Sequence, residues 1–367
     1  MKDKFIEINK KAALAGSSLI VSSKDEILEE LNYGYSDLDL NKKVTSNTVF
    51  RIASISKMIV ALGIMKLYEE GLLDIDKDIS EYLNFNLRNP KYPDKVITIK
   101  MLMTQISSIT DGKEYTTGYN LINGTNKDVN LEDLLLQDGK YFVDETFDDN
   151  IPGSKFIYSN FNCGILTCVI ENVSNKIFTD YIKEVLLTPL NIDGSFRVSD
   201  IKNDDIATLY YYKDGKHIVS RTKENFLKNE YKIFPLGQNF RGPAGGLFIS
   251  MKDLSKIMRV FMKESKLFKK STIDLMLETH WQGIGDGEYR AKGLQIMILD
   301  YFDNKRLFGH FGDAYGAKSF MLFNPVKNIG ICYITNGGGF KYQDFGICDI
   351  HEDLINLFLD KYWSSNA

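Results

Sequence analysis

Residues 52–70 read Ile52-Ala53-Ser54-Ile55-Ser56-Lys57-Met58-Ile59-Val60-Ala61-Leu62-Gly63-Ile64-Met65-Lys66-Leu67-Tyr68-Glu69-Glu70, and Gly71 follows. The pattern predicts one long helix over 52–70 that stops at Gly71, a favoured residue just past a helix end. From Ile52 to Met65 it is apolar nearly all round, and Lys57 is its only charge. Such a helix belongs in the middle of a fold rather than on its surface. Residues three apart on a helix share a face, so Lys57 lies beside Ser54. A serine hydroxyl is a weak nucleophile and needs a nearby base. An ammonium in apolar surroundings loses hydration and can take the serine proton or act as a charged donor. Ser54 also sits near the positive end of the helix, which favours developing negative charge. By itself the tetrapeptide more often marks a helix-capping serine followed by a snorkelling lysine. The apolar setting of Lys57 weighs against that, because a buried lysine needs a reason to be there.

Two further stretches carry chemistry. Tyr158-Ser159-Asn160 follows Ile151-Pro152-Gly153-Ser154, so it lies on a loop that enters a helix. A phenol and an amide two residues apart can face one cleft. Tyr158 is a candidate proton shuttle and Asn160 a candidate partner for a substrate carbonyl or for Lys57. A packed tyrosine at an ordinary helix start is the plainer alternative. Later, Gly309-His310-Phe311-Gly312-Asp313 ends a strand, with Gly316 close behind. Glycines there allow a substrate to approach the backbone. The N–H groups of Asp313 and Ser54 are candidates for an oxyanion hole. His310 would offer a cation or a hydrogen bond, although a lone histidine is more often structural.

Around these stretches the chain divides by pattern. Phe5–Leu14 suits an amphipathic helix. Ser18–Ser23 and Ile27–Tyr35 suit a hairpin turning at Lys24-Asp25. The middle, about 74–232, is rich in Asn, Asp, Lys and Tyr, with helical patches at Ile99–Met103, Leu131–Leu136, Asn162–Ser174 and Phe178–Leu186. Within it, 111–130 is polar and glycine-containing, as a mobile loop would be. Strands return at Leu294–Leu299, Arg306–Phe311, Ser319–Phe323 and Ile329–Thr335, with turns at Asp303-Asn304 and Asn324-Pro325. A final amphipathic helix spans Asp349–Trp363. Strands at both ends with helices between them imply an α+β fold whose antiparallel sheet is built from both termini.

Composition narrows the function classes. The chain has 367 residues, 44% of them hydrophobic, and a formal net charge of −4. That balance gives no footprint for nucleic acid and no basic segment for a membrane surface. No apolar run is long enough for a transmembrane segment. The short stretch from Ala12 to Val21 lacks the flanks of a secretory signal, which places the chain as written in the cytoplasm, or in the cell envelope if a leader was trimmed. Cys163, Cys168, Cys332 and Cys348 form no C-x-x-C pair and are expected as buried free thiols. No metal-ligand spacing occurs, and Gly337-Gly338-Gly339 lacks the Lys-Ser/Thr of a phosphate loop.

The ordered set S-x-x-K, Y-x-N and basic-x-Gly resembles the serine β-lactamase and penicillin-binding-protein superfamily. The third element, His310-Phe311-Gly312, is similar to that of its D-peptidase and esterase branches. Tyr33-Gly34-Tyr35-Ser36-Asp37, Thr48 to Ser54, Leu67 to Leu73, Leu187-Thr188-Pro189-Leu190-Asn191 and Pro243-Ala244-Gly245-Gly246-Leu247 resemble further family segments, over about 16–336. The resemblance implies a β-lactamase/transpeptidase-like fold in one domain, 1–367. Residues 1–80 and 240–367 would form its sheet part, and 81–239 a mostly helical insertion. It implies Ser54 as the acylated nucleophile, with Lys57 and Tyr158 sharing proton transfers. Asn160, His310, Gly312 and Asp313 would contact substrate. No cofactor or metal is implied.

The implied activity is that of a D-Ala-type carboxypeptidase, D-peptidase or D-alanyl esterase. A class C-like β-lactamase and a penicillin-binding sensor with little turnover are the alternatives. Partners would be a small-molecule or peptide substrate, cell-wall material among them, with β-lactams as acylating ligands. Two positions depart from the family near 102–108, where Gln105 and Ser108 replace an expected His and Gly, so that turn is expected to differ. Phe311 and Asp313 replace a small hydroxyl residue and a Gly. The carboxylate of Asp313 argues against a substrate carboxylate nearby, hence against efficient β-lactam hydrolysis and for an ester, an amide or a peptide bearing a free amine.

Overall fold

The computed structural model describes residues 1–262, 265–285, 288–300, 305–341 and 347–363. Its strands are β1 Gly16–Ser23, β2 Ile27–Asp37, β3 Lys42–Lys43, β4 Val49–Arg51, β5 Leu209–Lys213, β6 Lys216–Arg221, β7 Phe248–Ser250, β8 Trp281–Gly285, β9 Glu288–Lys292, β10 Met297–Leu299, β11 Leu307–Ala314, β12 Ala317–Asn324 and β13 Ile329–Thr335. Nine of them form one antiparallel sheet in the order β3-β2-β1-β13-β12-β11-β10-β9-β8, and β4-β7 and β5-β6 pair separately. The amino-terminal β1 therefore lies beside the late β13, with Ser17 opposite Thr335.

Both faces of this sheet are covered, so β12 and β13 are buried along their whole length, although β12 carries Lys318, Ser319 and Asn324 among its apolar residues. Successive side chains point to opposite faces. Ile331 and Tyr333 of β13, with Phe320 and Leu322 of β12, join a cluster with Phe5, Leu354 and Phe358. Those last three come from α1 Lys2–Lys11 and from the carboxy-terminal helix Asp349–Tyr362. Cys332, Ile334, Met321 and Phe323 face the other way, into the main core. That core is built on α2 Ser56–Glu69, which is buried nearly all round, as its sequence requires. Short helices follow: α3 Ile99–Met103, α4 Gly118–Asn123 and α5 Glu132–Leu135. Next come α6 Asn160–Ser174, α7 Phe178–Ile182, α8 Lys223–Lys228, α9 Met251–Val260 and α10 Lys270–Leu277, with the terminal helix as α11.

Several expectations shift. The helix predicted from Ile52 starts as a 3-10 turn at Ala53–Ile55, because Ala53 has left-handed backbone (φ +51°) and α2 begins only at Ser56. The polar stretch 111–130 is not a free loop: it contains α4, and Tyr119 is buried against Phe161, ring stacked on ring at 4.3 Å. The middle of the chain also holds the β5-β6 hairpin. The strand expected at Leu294–Leu299 is confined to Met297–Leu299, and the turn expected at Asp303-Asn304 lies outside the described residues. All four cysteines are free and buried. Among the described residues no helix is long and apolar enough to cross a membrane.

Candidate active site

The Ser54 turn is anchored by its neighbours. The Ser56 hydroxyl donates to the Ala53 carbonyl at 2.6 Å and accepts from the Leu247 N–H at 3.1 Å. The Ser319 hydroxyl donates to the Ile52 carbonyl at 3.0 Å. Gly312 of β11 packs against this turn so closely that a Cβ would lie 2.5 Å from the Ile52 carbonyl oxygen, so no larger residue fits. β10 pairs with β11 only from Leu307 to Gly309. Beyond Gly309, the strand edge borders the cleft that contains Ser54.

On Ser54 two polar groups converge. Lys57 Nζ donates to Ser54 Oγ at 3.1 Å, and the Tyr158 hydroxyl donates to the same oxygen at 2.8 Å. The Lys57 ammonium is completely buried and has two further acceptors, Asn160 Oδ1 at 2.8 Å and the Ala244 carbonyl at 2.9 Å. Three acceptors match the three N–H bonds of a charged lysine. The Tyr158 ring lies under the ammonium, 4.8 Å from centroid to Nζ.

Asn160 is held from behind by Asp111. One Asp111 oxygen accepts from Asn160 Nδ2 at 2.8 Å. The other accepts from the Ser159 hydroxyl at 2.9 Å and the Phe161 N–H at 2.8 Å. Gln105 ties the same loop down: its oxygen accepts from the Ser159 N–H at 2.9 Å and from Asn162 Nδ2 at 2.8 Å. Gln105 and Ser108 both adopt left-handed backbone, φ +64° and +65°, where a glycine would be unstrained. The turn keeps a glycine-like shape without the glycine.

His310, Gly312 and Asp313 line the same cleft of about 560 Å³ as Ser54, Tyr158 and Asn160. Of the two roles the sequence offers His310, a cation or a hydrogen bond, the buried ring fits the hydrogen bond. Burial, with the Lys292 and Lys57 ammonium groups adding, pushes its pKa well below the usual 6.5. The neutral ring donates Nδ1–H to the Phe311 carbonyl at 2.6 Å and leaves Nε2 without a partner. Its ring centroid is 6.3 Å from that of Tyr158. Asp313 is exposed but not uncompensated, because the buried Lys318 ammonium donates to its carboxylate. The like-charge argument drawn from Asp313 therefore loses most of its weight.

Four groups escaped sequence reading: Asp111, Ser56, the Ala244 carbonyl and Lys292. Lys292 on β9 is buried, and desolvation, with Arg290 and Lys57 adding, pushes its pKa down to about 7. Only its inward place in the alternation of β9 hints at this, and β9 itself was not foreseen.

A family model described as "Beta-lactamase" matches residues 1–346. The chain belongs to the beta-lactamase family. It thereby falls within the beta-lactamase and penicillin-binding-protein superfamily. This family member is 26% identical over 338 residues to protein flp of Staphylococcus aureus (strain N315), covering 91% of this chain and 62% of flp. It thus spans about three fifths of that relative's length. The crystal structure of D-amino acid amidase from Ochrobactrum anthropi SV3 superposes with a TM-score of 0.74 at 18% identity, over 97% of this chain and 96% of the amidase. The octameric penicillin-binding protein homologue from Pyrococcus abyssi gives a TM-score of 0.72 at 23% identity, over 97% and 76% respectively. Both structural likenesses establish the shared β-lactamase/transpeptidase-like fold.

Proposed function

We propose that this protein is a serine hydrolase acting through an acyl-Ser54 intermediate on D-amino-acyl amides, esters or peptides, as a D-Ala-type carboxypeptidase, D-peptidase or D-alanyl esterase. The observation that carries the reading is the convergence of Lys57 Nζ and the Tyr158 hydroxyl on Ser54 Oγ, at 3.1 and 2.8 Å. In the reacting form the Lys57–Tyr158 pair has first released one proton to solvent, leaving Lys57 as a free amine. Ser54 Oγ then attacks the substrate carbonyl carbon while its proton passes to Lys57 Nζ, directly or through the Tyr158 hydroxyl. The Ser54 and Asp313 N–H groups bind the resulting oxyanion. The carbonyl re-forms, the bond to the leaving group breaks, and Tyr158 delivers a proton to the departing nitrogen or oxygen. Water then attacks the acyl-serine, loses its proton to the same pair, and releases the acid.

Asn160 fits a role holding both Lys57 and the substrate's carbonyl. The Nε2 of a neutral His310 is an acceptor suited to a substrate ammonium rather than a substrate carboxylate. The fold shared with a D-amino acid amidase supports the same substrate class.

The test is release of D-alanine from D-alanyl amides, D-alanyl esters and D-Ala-D-Ala peptides, run beside a fluorescent penicillin label. The proposal expects turnover of at least one D-series substrate, with L-isomers slower, and loss of both turnover and label in Ser54→Ala. Turnover that survives Ser54→Ala, or equal rates for D- and L-series, defeats it. Fast colour from nitrocefin would instead assign a β-lactamase.

A further inference from the structure

A second chamber of about 410 Å³ opens beside the catalytic cleft. The two share Arg51, Asn123, Gly242 and Tyr315 as common wall, so they adjoin each other. Three guanidinium groups of this chamber stand without a carboxylate partner among the described residues. Arg51, only three residues before Ser54, has no hydrogen bond or ion pair among the described residues, and burial disfavours its charge. Arg221 donates Nη1 only to the neighbouring Ser220 carbonyl, at 2.7 Å. Arg241 is 6% exposed and lies between the Phe234 and Phe240 rings, 4.0 and 4.3 Å from their centroids. Its Nη2 donates to the Lys127 carbonyl at 2.7 Å, while Nε and Nη1 are buried with no partner. The chamber's one acidic residue, Glu230, is already taken by Arg197 at 3.0 Å.

Tyr315 sharpens the picture. It occupies the first position of the two-residue turn between β11 and β12, with φ +56°, followed by Gly316 at φ +91°. Such a turn favours Asn-Gly, and a bulky ring in left-handed backbone is costly. Here the ring stands between two cations, with the Arg51 guanidinium 5.0 Å and that of Arg221 4.4 Å from its centroid. An aromatic face can hold guanidinium groups in place without neutralising them. Their donor edges then remain for a ligand.

We propose that this chamber binds an anionic group, a carboxylate or a phosphate, on the part of the substrate remote from the bond that is cleaved. Guanidinium groups suit both anions by paired N–H donors. The Phe178, Phe196, Phe226 and Phe248 rings, packed edge-to-face in two pairs, form apolar wall for the segment that joins the anion to the reacting carbonyl. That the anion belongs to a substrate rests on the hydrolase reading above; that the chamber takes an anion does not.

The experiment therefore separates the two. Calorimetric titration of Ser54→Ala protein with inorganic phosphate, with glutarate and with uncharged glutaramide reads anion binding in the absence of turnover. The expectation is that at least one anion binds and glutaramide does not, and that Arg221→Gln and Arg51→Gln each weaken binding by about tenfold or more, the scale of one lost charge-assisted pair. Binding of phosphate without glutarate, or the reverse, identifies which anion the chamber takes. No heat from either anion, equal binding of glutaramide, or unchanged affinity in folded Arg221→Gln overturns the proposal. Arg221 is only half-buried, so its variant keeps the test decisive even where Arg51→Gln does not fold. In active protein, p-nitrophenyl esters with and without a terminal carboxylate on the acyl chain or on the alcohol then show whether the bound anion is part of a substrate. A preference for the charged ester that disappears in Arg221→Gln places it there. Anion binding with no such preference confines the proposal to a separate ligand.

Discussion

Lys57 is over-determined: a buried ammonium with three oxygen acceptors cannot lose one of them without leaving a donor unpaired. Lys57→Ala is expected to slow acylation by roughly 10²–10⁴-fold, the usual contribution of a positioned acid–base group, read by the rate of penicillin labelling. Asp111 acts one step further out, since it touches Asn160 and not Ser54. Asp111→Asn would set an amide against the Asn160 amide and turn Asn160 Oδ1 away from Lys57. The expected signature is a fall in kcat larger than any rise in KM, with about 1–3 kcal/mol of stability lost to urea. A mutant with unaltered kcat would remove Asp111 from the positioning chain. For His310, the depressed pKa means that the ring is already neutral at pH 6.5 and takes a proton only far below it. The pH dependence of kcat/KM is therefore expected to show no limb near pH 6.5; a limb there that vanishes in His310→Asn would contradict the neutral ring. These residues differ in how readable they were. Ser54, Lys57, Tyr158 and Asn160 stand in short local patterns whose geometry a helix or a turn dictates. Asp111 and the Ala244 carbonyl reach the site through tertiary packing, which no local pattern records.

At the scale of elements, α2 and α6 set the distance between the serine and the tyrosine. Gly164 on α6 lies under the Phe240 carbonyl, where a Cβ would come within 2.5 Å of the oxygen. Gly164→Ala should therefore push α6 outward, lose about 1–3 kcal/mol through overpacking, and reduce acylation because Asn160 begins that helix. Ile59→Ala, in contrast, empties core volume on α2 at a fully buried position. It should cost about 2–5 kcal/mol by denaturant melting while its folded fraction still acylates. The long helices and the β1-β2 hairpin were legible because periodicity and burial agree along their whole length. The strand Trp281-Gln282-Gly283-Ile284-Gly285 was not, because two glycines and a glutamine lack the composition of a strand and only pairing with β9 makes it one. The 3-10 start of α2 was hidden for a similar reason. Ala53 is forced into left-handed backbone by β11 and the glycine-rich segment around Gly245, which meet it from elsewhere in the chain.

For the molecule as a whole, Lys292 ties stability to pH. Unfolded, it keeps its proton up to its ordinary 10.5; folded, only up to about 7. Between those values the unfolded chain binds more protons, so this residue makes stability rise as pH increases from 7 toward 10.5. Thermal melts of Lys292→Met should lack that rise and should exceed the parent most clearly below pH 7; parallel curves for the two proteins would refute the burial of the charge. The sheet itself has a consequence of another kind. Its interior strand β1 hydrogen-bonds on one side to β13, and the Thr335 hydroxyl donates to the Gly16 carbonyl across 319 residues of chain. During synthesis β1 and β2 leave the ribosome long before β13, and until β13 emerges the edge of β1 lacks its sheet partner. That exposed edge is an invitation to pair with other chains. Slowing translation should therefore not help this protein fold, and a chaperone that shields the early hairpin should raise its yield.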